Sequence, residues 1–139
     1  MAALVLVGHL GQLPASLEDL DSINFALGVR HFDVAQHQPH PPGYPVFVAV
    51  AKLLHLAVGD ETRALALVSV LSAAVAALGI ALLLGALVGR ETAGGTRRPG
   101  GSGGSLADTL TVRAGTMIAA TSPLFWITAV RPLSDMCGL

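Results

Sequence analysis

The sequence predicts an all-α, polytopic membrane protein with about three transmembrane helices and additional amphipathic helices outside the membrane. Three observations carry this. The 139 residues are 53% hydrophobic and only 12% charged, against about 25% charged in soluble domains. The run Arg63 to Val88 carries no charge after its first residue, and about 20 apolar residues suffice to cross a bilayer. A Gly-rich, basic stretch then separates it from a second apolar segment. The net charge of -1 and the lack of a basic patch exclude a nucleic-acid partner. The single cysteine, Cys137, excludes an internal disulfide and reads as a small apolar filler.

The elements follow in order. Residues 1–14 form a short apolar stretch without the positive start of a signal peptide, and read as the outer part of a first spanning helix. Residues 15–62 form a loop region with juxtamembrane helices. In it, Ser16-Leu17-Glu18-Asp19 has the form of a capping box, and Leu20, Ile23 and Leu27 recur at helical spacing. A short helix is therefore expected from Leu17 to about Val29. Tyr44 to Val58 is apolar but too short to span and contains Lys52 and His55, so it reads as an interfacial or re-entrant helix. Residues 63–89 span the membrane, and their Ala, Gly and Ser content suits close helix packing. Residues 90–108 are a flexible linker. Residues 109–130 span again, with an apolar core from Val112 to Val130, Arg113 near one end and the interface-favouring Trp126 near the other. Residues 131–139 close the chain.

Charge sets the expected orientation. The linker holds Arg90, Arg97 and Arg98, and positive loops stay in the cytoplasm. The acidic and His-rich segment before Arg63 then lies outside. A spanning Tyr44–Val58 would bring the two oppositely charged loops to one side, which favours the interfacial reading. Arg131 and Asp135 come out on the same outer face as Asp19 and His40.

The chemistry concentrates between Ser16 and Pro45. Glu18, Asp19 and Asp21 can cap a helix and complement its dipole. They can equally act as a general base, ligate a divalent cation, or both. His31, His37 and His40 share the loop with Asp33, but their spacings match no standard zinc pattern. His40 precedes Pro41 and Pro42, which hold it in extended backbone. That suits either a fixed side chain at a site or a plain turn into the next helix. Arg131 and Asp135 lie four apart and can pair with each other, or Arg131 can hold a phosphate with its planar fork.

Taken in order, these features resemble the N-terminal portion of the GT-C membrane glycosyltransferases, the group that includes protein O-mannosyltransferases and aminoarabinose lipid A transferases. The resemblance runs through the acidic pair Glu18–Asp19 after the first span, Ala26 and Gly28 in a short helix, and the HPPGYP element at His40 to Pro45. It continues through Arg63 at a helix start before a basic turn, and Thr121-Ser122-Pro123 followed by Arg131 and Asp135. It implies a partial GT-C fold acting at the outer face of the cell membrane. The donor would be a polyprenyl-phosphate sugar and the acceptor a lipid, glycan or protein hydroxyl. Asp19, beside Glu18, would be the catalytic base, with Asp21 a near alternative. His40, Tyr44, Arg131 and Asp135 would form the substrate-binding set, with His40 and Arg131 facing the donor phosphate. Gly43 departs from the hydrophobic residue usual after the two prolines. Such enzymes carry more spanning helices than the three found here, so the chain reads as the front part of a larger enzyme, inactive alone. The alternatives are a small non-enzymatic assembly subunit or a transporter fragment; the near absence of acids in the spanning segments argues against transport.

Overall fold

The computed structural model describes residues 2–17, 19–94 and 106–130. They form six α-helices and one 3-10 turn: α1 Ala2–Leu10, α2 Leu20–Arg30, the turn Val34–Gln36, α3 Pro45–Val58, α4 Glu61–Gly94, α5 Leu106–Ala120 and α6 Pro123–Val130. The expected all-α class holds, with no β-strand among the described residues. The basic residues Arg97 and Arg98 of the linker lie outside the described residues.

Helix α4 is the axis on which the other helices pack. The most apolar window of its segment Glu61–Arg90 has a mean hydropathy of 2.6, and it is the one helix among the described residues that is long and apolar enough to cross a membrane. At 30 residues, it extends about 45 Å, more than the hydrocarbon thickness of about 30 Å. Only 28% of its most apolar window is buried by neighbouring helices; Leu82 and Leu83 stand exposed on its second half. Asp60 starts it, its Oδ1 accepting the Arg63 N–H at 2.8 Å, which satisfies one of the free donors of a helix start.

Two apolar cores sit at successive levels of α4. The first joins Phe25, Ala26 and Val29 of α2 to Phe47, Val48 and Ala51 of α3 and to Leu65 and Val68 of α4. The second joins Val5 of α1, Ala73 and Ala77 of α4, Ala120 of α5, and Phe125 and Ala129 of α6. Gly115 of α5 faces Leu84, where a Cβ would lie 2.9 Å from Leu84 Cδ1. The chain from α5 to α6 therefore runs antiparallel to α4, from the level of Leu84 back to that of Ala73.

Three boundaries differ from the sequence reading. Helix α2 starts at Leu20, not Leu17, because Asp19 rather than Ser16 is its N-cap. The two residue types cap about equally well, and tertiary packing decides: Leu17 packs against the first core instead of joining the helix. The segment expected to span as one helix over 109–130 is broken at Thr121-Ser122 into pieces of 15 and 8 residues. Pro123 lacks the N–H that would continue the ladder and disfavours helical backbone before it. Ser122 starts the second piece, accepting the Trp126 N–H on its carbonyl at 3.0 Å and the Phe125 N–H on its Oγ at 3.4 Å. The first piece begins at Leu106, inside the stretch read as linker. A helix appears over nearly the whole of the Tyr44–Val58 stretch, as Pro45–Val58, closed by Gly59 at φ 74°.

Candidate functional site

The polar segment folds over α2 and the start of α3, and its backbone is fixed by short-range chemistry. Asp33 and Gln38 exchange two backbone hydrogen bonds, of 2.8 and 2.9 Å, and so pinch the intervening residues into a closed turn. The Asp33 carboxylate accepts the Ala35 N–H at 3.0 Å inside that turn. It is thereby committed to the backbone. His31 and His37 point to the exposed surface.

Glycines let the loop approach α2. A Cβ on Gly28 would lie 2.9 Å from Pro39 Cδ and 3.1 Å from the Gln38 carbonyl oxygen. Only a residue without a side chain allows that contact. Gly43 sits at φ +91°, and a Cβ there would lie 2.6 Å from Val34 Cγ2. A hydrophobic residue after the two prolines does not fit this loop, which explains the departure noted in HPPGYP. Gly43 donates its N–H to the His40 carbonyl at 2.9 Å, closing a turn, and Tyr44 at φ 43° turns the chain into Pro45 at the first position of α3.

The side chains expected at a site separate into two settings. Asp19 is half-buried and caps α2, its Oδ1 accepting the Ser22 N–H at 2.8 Å, while Ser22 Oγ donates to the Asp19 carbonyl at 3.0 Å. Asp21 sits two residues further, in the first turn and exposed, and its Oδ1 faces His40 Nδ1 at 3.5 Å. That separation is the outer edge of hydrogen-bond reach, and Nδ1, buried against its neighbours, makes no hydrogen bond. The imidazole is held edge-to-face by Phe25 at 5.7 Å and by Tyr44 at 5.5 Å between ring centres. Phe25 itself contacts Tyr44 and Phe47 at 5.5 and 4.9 Å. The structure thus brings together Asp21, His40 and Tyr44, with Asp19 at the same helix start. Glu18, Arg131 and Asp135 lie outside the described residues. Among the described residues no three His, Cys, Asp or Glu side chains come together as the ligands of a cation.

Two further clusters escaped the sequence reading. Arg30, at the end of α2, donates its Nε–H to Glu61 Oε1 at 2.6 Å and ties α2 to the start of α4. The hydrogen bond and charge of Glu61 push the Arg30 guanidinium pKa up. His9 is fully buried between α1 and α6, stacked on Trp126 with ring centres 4.1 Å apart. Its Nδ1 meets the Val5 carbonyl at 2.6 Å, and its Nε2 is buried without a partner. Trp126 Nε1 donates to Gln12 Oε1 at 3.1 Å. A histidine inside an apolar run is the signal that points to this cluster.

Residues 32–132 match the family model of the "Protein O-mannosyl-transferase TMEM260 N-terminal domain". The match takes in His40, Tyr44 and Arg131 and begins after Asp19 and Asp21. No curated protein and no solved structure matches the chain. The matched segment covers well over half of the residues, from the pinched turn to the end of the broken helix, and the chain belongs to this protein O-mannosyltransferase family.

Proposed function

We propose that the chain is part of a GT-C membrane glycosyltransferase that moves a sugar from a polyprenyl-phosphate donor to an acceptor hydroxyl at the extracytoplasmic face. The family match over the HPPGYP turn and the helices behind it carries this reading. In this reading the chain crosses the membrane three times, through residues 1–14, 63–89 and 109–130. The arginine linker is cytoplasmic, and the segment before Arg63 is outside. The acceptor is a lipid, glycan or protein hydroxyl.

The proposed chemistry is an inverting displacement. The acceptor oxygen attacks the anomeric carbon as the bond from that carbon to the phosphate oxygen breaks. The electron pair of that bond leaves with the lipid phosphate, and the acceptor proton passes to Asp19, next to Glu18. Asp19 engages one carboxylate oxygen in the helix cap, which fixes its position and leaves the other oxygen for the proton. His40 and Arg131 face the leaving phosphate, where cations offset developing charge. Tyr44 and Asp135 border the substrates.

The test is photolabelling of membranes containing the protein with a photoactivatable polyprenyl-phosphate mannose. Labelling within residues 15–62 that excess unlabelled polyprenyl-phosphate mannose suppresses is the expected result. Labelling that is absent, or that free polyprenol suppresses equally, overturns the reading.

A further inference from the structure

We infer that Asp21 is a positioning residue for His40, holding the imidazole so that its Nε2–H is the group offered to the phosphate of a prenyl-phosphate ligand. This rests on the reading of the site as one for a lipid-linked sugar. Four observations support the pairing. Asp21 Oδ1 is the carboxylate oxygen in ion-pair range of His40, at 3.5 Å from Nδ1. Nδ1 is shut off from solvent and makes no hydrogen bond, which leaves it free for the acid 3.5 Å away. The ring therefore turns its buried nitrogen toward the acid, while 29% of the side chain stays exposed. Phe25 and Tyr44 clamp the ring plane from two elements. The Gly43 turn fixes the backbone of His40 itself.

Asp21 is chemically freer than its neighbour. Asp19 has its carboxylate in the helix cap, while the Asp21 side chain is 57% exposed and has His40 in ion-pair range. An imidazolium that directs its Nδ1–H at a carboxylate is oriented by it and offers its Nε2–H as a charge-assisted donor. The same acid would repel a phosphate if it acted by charge alone. The two effects have opposite signs, so one substitution separates them.

The experiment measures binding of farnesyl phosphate, with farnesol as control, to the full chain in lipid nanodiscs. His40→Gln is expected to weaken binding about 10-fold, the size of one charge-assisted hydrogen bond. Asp21→Asn is expected to weaken it about 3-fold, Asp21→Glu to restore most of the loss, and the Asp21→Asn/His40→Gln pair to bind no worse than His40→Gln alone, because Asp21 acts through His40. Tighter or unchanged binding in Asp21→Asn, or losses that simply add in the double variant, overturns the inference while leaving the lipid-linked reading intact. Wild-type protein that binds farnesyl phosphate no better than farnesol overturns both.

Discussion

Gly28 of α2 and Pro39 of the loop approach so closely that a Cβ on Gly28 would lie 2.9 Å from Pro39 Cδ. This contact seats the polar loop on the helix that carries Asp19 and Asp21 and brings His40, the next residue, over Phe25. Gly28→Ala must push the loop away or distort α2, at a cost of about 1–3 kcal/mol for overpacking. Thermal unfolding in detergent should show the lower stability, and phosphate-lipid binding should fall with it. An unchanged melting temperature would show that the loop can shift freely.

Asp19 has a capping role that is separable from any chemistry. Asn caps a helix as well as Asp does, whereas Ala does not. Asp19→Ala should therefore lose about 1 kcal/mol of stability, and Asp19→Asn almost none. Equal losses in the two variants, measured by thermal unfolding, would contradict the cap seen between Asp19 Oδ1 and the Ser22 N–H.

The single tryptophan reports on the junction between α1 and α6. Trp126 Nε1 donates to Gln12 Oε1 at 3.1 Å. Gln12→Leu removes that bond, so the Trp126 emission maximum should move to shorter wavelength, with a stability loss of about 1 kcal/mol. An emission spectrum identical to wild type would show that the indole is not bonded there.

His9 gives the opposite sign. Its Nε2 is buried without a partner, and a lone buried acceptor costs stability that an apolar side chain of similar shape does not. His9→Leu should leave the melting temperature equal or higher, while His9→Ala, which opens a cavity beside Trp126, should lower it. A large loss in His9→Leu would reveal a partner for that nitrogen.

Arg30 and Glu61 tie α2 to α4 at an exposed position. Such pairs are screened by salt. Arg30→Gln should lower the melting temperature slightly at low ionic strength, and the difference from wild type should close at about 1 M salt, where screening reaches within about 3 Å. A difference independent of salt would show that Arg30 acts through packing of its stem.

Much of this arrangement is legible in the residues, and the parts that are not share a cause. The long helix announces itself because lipid-length apolar runs need no partner to be recognised; the expected span from residue 63 to 89 lies within Glu61–Arg90. The Tyr44–Val58 helix is bounded by residues with local meaning, Pro45 at its start and Gly59 at its end. The start of α2 is ambiguous in the sequence because Ser16 and Asp19 are both good caps, and the choice between them lies with Leu17, which packs on residues distant in sequence. The break at Thr121-Ser122-Pro123 has a local cause, but an apolar count passes over it. At the site, the loop composition points to Asp21 and His40, whereas their pairing depends on Gly28, whose role exists only once the chain folds back. His9 reads as part of an apolar stretch, because its burial against Trp126 joins segments far apart in the chain.

The most direct test of the account is transfer of labelled mannose from polyprenyl-phosphate mannose to acceptor in membranes containing the protein within its complete enzyme, comparing wild type with Asp19→Asn. The account predicts transfer by the wild type and its loss in Asp19→Asn, with insertion and melting temperature unchanged, because the helix cap survives and the proton acceptor does not. Full transfer by a folded Asp19→Asn protein would contradict it.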